Sequence, residues 1–107
     1  RDIVFIDDLV EMVDKIIEKQ DTKYELYNCG SGRAYSIKEL ANIIMEVNNK
    51  NLNIEYDLTK PNIPTVVILD CDKAKNELGW EPTTKVKDGI KKTSEWYKQT
   101  YLNKNDN

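Results

Sequence analysis

A chain of 107 residues with 33% charged and 39% hydrophobic side chains has the size and composition of one small folded domain, not of a disordered polypeptide. The net charge of −3 is uneven: residues 1–53 hold 7 basic and 10 acidic side chains, residues 54–107 hold 9 of each, and neither half carries the basic cluster of a nucleic-acid binder. No stretch approaches the ~20 apolar residues of a membrane span, and no signal peptide opens the chain.

In chain order, Ile3-Val4-Phe5-Ile6 is a continuous apolar run that predicts a short strand buried on both faces. Asp8 and Glu11 have the spacing of a capping box. The helix beyond them carries Leu9, Val10, Met12, Val13, Ile16 and Ile17, a broad apolar stripe that has to be covered. Tyr24, Leu26 and Tyr27 are strand residues, and Gly30-Ser31-Gly32 ends that run with a turn. Ser36 and Glu39 make a second capping box, so a helix should begin at Ile37 with Leu40, Ala41, Ile44 and Val47 on the same face. Asn48-Asn49-Lys50-Asn51 stops it, and Leu52 to Tyr56 alternates as a half-buried strand.

The prolines of Thr59-Lys60-Pro61-Asn62-Ile63-Pro64-Thr65 predict a loop, followed by a strand over Val66-Val67-Ile68-Leu69. Asp72 is placed to cap a short helix through Leu78, with Gly79 as its stop and Pro82 shortly beyond. Thr84 is placed to cap the last helix, on which Val86, Ile90, Thr93 and Tyr97 share a face. Gly89 inside it costs roughly 1 kcal/mol against alanine, so a close approach is expected there. Residues 1–102 form the working segment and 103–107 a fraying tail.

The strand–turn–helix unit over residues 24–47 belongs in a layered α/β protein. Tyr27-Asn28-Cys29-Gly30-Ser31-Gly32 followed by Ser36-Ile37-Lys38-Glu39-Leu40 resembles the C-terminal, substrate-binding part of the extended short-chain dehydrogenase/reductases, the NAD-dependent nucleotide-sugar epimerases and dehydratases. Three further blocks agree in order and spacing: Arg1-Asp2-Ile3-Val4-Phe5-Ile6-Asp7-Asp8, Asp70-Cys71-Asp72-Lys73-Ala74 with Leu78-Gly79-Trp80-Glu81-Pro82, and Gly89-Ile90 leading to Glu95-Trp96-Tyr97. The resemblance covers residues 1 to about 98. It implies about four helices with short strands, a fragment lacking the dinucleotide-binding core of a Rossmann-type enzyme. A chain opening on Arg1, directly at a strand, likewise reads as a piece of something longer.

The resemblance assigns Arg1 to the nucleotide-sugar site, where its planar fork would grip diphosphate oxygens. Where the family usually has Phe, Tyr or Trp, this chain has Ile3, so an aromatic contact to the ligand is not implied. The loop around Lys60 corresponds to a stretch that closes over the nucleotide. The interval before Asp70 where relatives carry a cation reads Val66 to Leu69, so either Lys60 substitutes from a different angle or the phosphate grip is weakened; a solvated loop lysine is the plain alternative.

Tyr56-Asp57-Leu58-Thr59-Lys60 matches the Tyr-x-x-x-Lys spacing of the superfamily's catalytic pair, but Pro61 disfavours the helix that spacing needs, and the match is read as chance. Gly30-Ser31-Gly32 lacks the third glycine of a dinucleotide fingerprint, Tyr35 standing in its place. Asp7, Asp8, Asp70 and Asp72 read as helix caps, not as a metal site. Cys29 and Cys71 are the only cysteines and histidine is absent, which argues against structural zinc and fits packed, reduced thiols in a cytoplasmic protein.

Without a cofactor loop or a helical Tyr-x-x-x-Lys, these residues are expected to contribute no catalytic group and to bind no cofactor themselves. The parent would use NAD or NADP to oxidise the sugar transiently, a tyrosinate removing the hydroxyl proton. The segment's own role would be to anchor the nucleotide diphosphate of the nucleotide-sugar substrate. A non-catalytic nucleotide-binding or regulatory protein on the same scaffold is the alternative. The expected partner is the missing N-terminal dinucleotide-binding domain, and a homo-oligomer built on the Leu9–Ile17 stripe is the other candidate; neither nucleic acid nor membrane is expected.

Overall fold

The computed structural model describes residues 1–103; apart from Asn103, the expected fraying tail lies outside the described residues. The described chain holds α1 (Ile6–Lys19), α2 (Ile37–Val47), α3 (Asp72–Leu78) and α4 (Val86–Tyr97), and α4 runs on into a π-helical turn, Lys98–Leu102. The helices pack as two pairs, α1 on α3 and α2 on α4.

The first pair holds the core. Met12 of α1, Ala74 and Leu78 of α3, and Trp80 just beyond are each at most 3% exposed, with Val4, Ile16, Tyr27, Cys29 and Cys71 packed around them. Burying a large apolar side chain contributes roughly 1.5–3 kcal/mol, so this cluster is the main cohesive contact. Gly79 ends α3 at φ +66°, its N–H returning to Lys75 O at 3.0 Å, and Trp80 N–H reaches Ala74 O at 3.2 Å. Lys19, at the end of α1, donates to Leu78 O at 2.9 Å and so satisfies a carbonyl at the end of α3.

In the second pair, α2 begins as its sequence predicts. Ser36 Oγ accepts Glu39 N–H at 3.0 Å while Glu39 Oε2 accepts Ser36 N–H at 2.6 Å. Asn48 donates through Nδ2 to Ser94 Oγ of α4 at 3.1 Å, and Lys87 of α4 pairs with Glu46 of α2 at 2.6 Å. Gly89 is buried beneath Phe5, where an added Cβ would sit 3.1 Å from Phe5 Cδ2, which accounts for the helical glycine.

The predicted strands do not form. Ile3 to Ile6, Tyr24 to Tyr27, Leu52 to Tyr56 and Val66 to Leu69 carry no ladder among the described residues, and the one β-contact is the antiparallel bridge Asp2–Ala34. A strand exists only through a neighbour that accepts its hydrogen bonds, and nothing described pairs with these segments. Val4 and Tyr27 still pack against the core, but many of the segments' other apolar side chains stand open, Tyr24 at 78% and Val66 at 79% exposure.

Three capping assignments also change. α1 starts at Ile6 after Phe5, not beyond Asp8, and Asp8 reaches across the molecule instead of to its own helix. α3 starts at Asp72 itself, and the carboxylate meeting its amide is that of Asp70, at 2.9 Å. Lys85 precedes α4 without a side-chain cap, Thr84 having turned to Asp8.

The result is a plate of 49 × 42 × 20 Å. Its radius of gyration is 17.4 Å, against about 13 Å for a compact domain of this length. The α1 stripe is only half covered: Met12 points into the core, while Val10, Val13 and Ile17 remain 46–78% exposed. No described helix is long and apolar enough to cross a membrane.

Candidate functional site

The first turn of α2 faces the loop 54–62 across a cleft of about 490 Å³. Ile37 and Ala41 on one side and Tyr56 and Pro61 on the other give it apolar walls, Lys38 and Lys60 bring two cations to it, and Glu55 and Asp57 bring two carboxylates. Asp57 shapes the loop: its Oδ1 accepts Thr59 N–H at 3.0 Å and Thr59 Oγ1 at 2.6 Å, and Lys60 N–H returns to Asp57 O at 3.3 Å. Tyr56 and Lys60 therefore stand on a turn and not on one face of a helix. The apolar walls can take a planar base, and the two lysines a phosphate held clear of the Glu55 and Asp57 carboxylates.

Arg1 does not line this cleft. Its Nη1 donates to Thr65 O at 2.9 Å and to Thr65 Oγ1 at 3.3 Å, so the guanidinium grips the far end of the same loop. The Arg1 backbone is fixed on the other side. Arg1 N donates to Tyr35 O at 2.6 Å and Tyr35 N–H to Arg1 O at 2.8 Å, two residues before Ile37 in the cleft wall. The two residues singled out from the sequence, Arg1 and Lys60, thus share a loop but no pocket. Ile37, Lys38 and Tyr56 join Lys60 unannounced; the one signal for them was their closeness in sequence to the capping box and to the proline loop.

Between these parts sits Asp2. Its carboxylate accepts Ser31 N–H at 2.6 Å, Ser31 Oγ at 2.7 Å, Gly32 N–H at 3.0 Å and Leu69 N–H at 3.0 Å. Partial burial opposes its charge, but the Ser31 hydroxyl and the three amides outweigh that and hold its carboxyl below the usual value. Gly30 is required alongside, because a Cβ there would fall 2.7 Å from Asp2 Oδ2. This geometry also decides what the glycine turn cannot do. The amides of Ser31 and Gly32, which would have to cradle a pyrophosphate, already hold an anion, so these residues do not fit NAD(P).

A second carboxylate, Asp8, is 2% exposed and accepts Thr83 Oγ1 and Thr84 N–H, both at 3.0 Å, and Thr84 Oγ1 at 3.4 Å. Its backbone carbonyl takes Trp80 Nε1–H at 2.8 Å. Burial pushes its carboxyl up, but the Thr84 amide and the threonine hydroxyls bring it below the ordinary range. Its carboxylate is taken up by these donors, and it works as a structural clamp. Cys29 and Cys71 are free, half-buried thiols whose ionisation burial pushes up. No group of three or more metal-ligating side chains gathers among the described residues.

The fold is that of known enzymes. The chain is similar in structure to a UDP-glucose 4-epimerase from Thermotoga maritima solved with UDP-glucose (TM-score 0.79, 35% identity, 94% of this chain, 32% of that one). It is similar also to a dTDP-glucose 4,6-dehydratase from Bacillus anthracis in complex with NAD (TM-score 0.82, 25% identity, 95% of this chain, 32% of that one). Neighbours of this kind define the class as the Rossmann-type extended short-chain dehydrogenase/reductases. Residues 1–93 match the family model described as GDP-mannose 4,6 dehydratase, and the chain belongs to that family. GDP-L-fucose synthase 1 of Arabidopsis thaliana is 30% identical over 104 residues, 97% of this chain but 32% of the relative. The chain thus spans about a third of the length of such relatives.

Proposed function

We propose that residues 1–102 act as the substrate-side segment of a nucleotide-sugar epimerase, dehydratase or reductase, with Lys60 and Arg1 anchoring the nucleotide diphosphate. The observation that carries this reading is the cleft at the start of α2, where apolar walls meet Lys38 and Lys60, while Asp57, one of its two carboxylates, is turned to Thr59 of its own loop and Glu55 is the other. A diphosphate held by lysine or arginine gains charge-assisted hydrogen bonds, and that grip, remote from the reacting carbon, orients the sugar. Arg1 would contribute from the loop's far end, exchanging Thr65 for phosphate oxygens or holding Thr65 in place beneath them.

In this reading NAD(P), present in solved neighbours, belongs to a dinucleotide-binding part of a longer parent, since the Gly30–Gly32 turn does not fit it. The exposed apolar side chains Val10, Val13, Ile17, Tyr24 and Leu26 support a packing surface for that part. The chain by itself would bind and not catalyse.

The test is an NMR titration of the 107-residue chain with UDP and with GDP. The Ile37 and Lys60 signals should shift, and Lys60→Ala and Arg1→Ala should each weaken binding by about tenfold, the worth of one charge-assisted hydrogen bond. Shifts confined to other surfaces, or an affinity indifferent to both substitutions, would refute the assignment.

A further inference from the structure

We propose that Asp2 is the positioning residue of the diphosphate site: by gathering Ser31, Gly32 and Leu69 onto one carboxylate it fixes Arg1 and the Lys60 loop relative to the start of α2. The inference rests on the reading that Arg1 and Lys60 hold a nucleoside diphosphate, and it deepens that reading by naming what holds them.

Three observations lead there. First, the four donors come from two segments far away in sequence, the glycine turn at Ser31–Gly32 and the strand-like run at Leu69. A carboxylate offers about four lone-pair sites, so Asp2 has none left for a ligand, and its negative charge would repel a phosphate. Its role is therefore to place other groups.

Second, among the described residues the loop between Lys60 and Leu69 is hydrogen-bonded to the N-terminal segment at two points, through the adjacent residues Arg1 and Asp2. Arg1 Nη1 holds Thr65, and Asp2 Oδ2 holds Leu69 N–H. The side chains between them are open, Val66 at 79%, Val67 at 43% and Ile68 at 54% exposure, so packing does not fix that run. Loss of the Leu69 tie leaves Thr65 held by one exposed guanidinium contact, and the entropy of the freed loop opposes it.

Third, the site is built tightly around this carboxylate. Both Asp2 Oδ2 and Leu69 Cβ lie within 3.0 Å of where a Gly30 side chain would begin. The Asp2–Ala34 bridge then joins the same hub to Tyr35 and on to the α2 cap at Ser36. One side chain thus sets the distance from Arg1 to both walls of the cleft.

The experiment is a double-mutant cycle in the 107-residue chain, read by UDP and GDP titration and by amide hydrogen exchange. Asp2→Asn should speed exchange at Ser31, Gly32 and Leu69, loosen residues 60–68, and weaken nucleotide binding by about tenfold, the scale of one well-oriented charged contact. In an Arg1→Ala background the same change should cost clearly less than in the wild type, because one of the two groups Asp2 positions is already gone, and with Arg1→Ala and Lys60→Ala combined it should cost less than about twofold. Ser31→Ala, which removes one of the four donors and keeps the fold, should give an intermediate loss. Additive losses would overturn the proposal, as would unchanged exchange at Leu69 or unchanged affinity in a folded Asp2→Asn chain. If neither nucleotide binds the wild-type chain, the functional reading fails and this proposal falls with it. If Arg1→Ala and Lys60→Ala weaken binding while Asp2→Asn does not, only the positioning role fails.

Discussion

Replacing Asp8 by alanine tests whether this plate is held by carboxylate clamps as much as by its core. Asp8 is almost fully buried and takes two good hydrogen bonds, from Thr83 Oγ1 and Thr84 N–H at 3.0 Å, and a weaker one from Thr84 Oγ1 at 3.4 Å. Hydrogen bonds to a charged group contribute about 1.5–3 kcal/mol each, and removing the charge returns part of its desolvation cost, so the net loss for Asp8→Ala should be about 3 kcal/mol. A domain of this size has about 5–15 kcal/mol in total, and one with so small a core belongs at the lower end. With a urea slope near 1.5 kcal/mol/M, the unfolding midpoint should fall by about 2 M. Asp8→Asn keeps an acceptor for Thr83 but sets an amide nitrogen against Thr84 N–H, so it should lose about half as much. Urea unfolding followed by far-ultraviolet circular dichroism reads both. A cost below about 0.5 kcal/mol for Asp8→Ala, or a larger cost for asparagine than for alanine, would refute the clamp.

Trp80→Phe keeps most of the buried ring but removes the Nε1–H that reaches Asp8 O at 2.8 Å; unfolding should register a loss of about 1–2 kcal/mol. Gly30→Ala would press a methyl to 2.7 Å from Asp2 Oδ2 and 3.0 Å from Leu69 Cβ, and overpacking of this kind should cost about 1–3 kcal/mol in the same assay. Acid should destabilise the fold through both aspartates, whose folded-state carboxyls lie below their unfolded value of about 3.9. Groups shifted down stabilise fully at pH values above that number, and the contribution is lost as pH falls through the folded values. The midpoint should therefore drop steeply below about pH 4, and Asp2→Asn or Asp8→Asn should flatten the drop.

What was legible in the sequence was what neighbouring residues decide among themselves. The Ser36–Glu39 box and the stop at Gly79 each depend on a turn or two of chain, and the structure has them as predicted; the close approach expected at Gly89 is also there, but its neighbour is Phe5 from the other end of the chain, which the glycine alone did not name. The strands failed because their hydrogen bonds belong to a partner, which an apolar run does not name. Asp8 was read as half of a box with Glu11 because the spacing is right, yet its partners lie 75 and 76 residues away. Asp2 gave no local sign of its four donors, although a serine between two glycines is a turn with amides to offer. Arg1 and Lys60 came from the family resemblance, and in the structure Lys60 lines the cleft while Arg1, from the N-terminus, holds Thr65 at the end of the same loop.

A body 20 Å deep is about two helices thick, so each helix has a neighbour on one side and open surroundings on the other. Such a slab can offer a small molecule a floor but no ceiling. If the proposed reading holds, Lys60 and Ile37 would supply charge and apolar surface to the hollow, and the choice among sugars would fall to whatever surface comes down from above. Swapping this piece between related enzymes should then transfer grip on the nucleotide and leave the preference for the sugar behind.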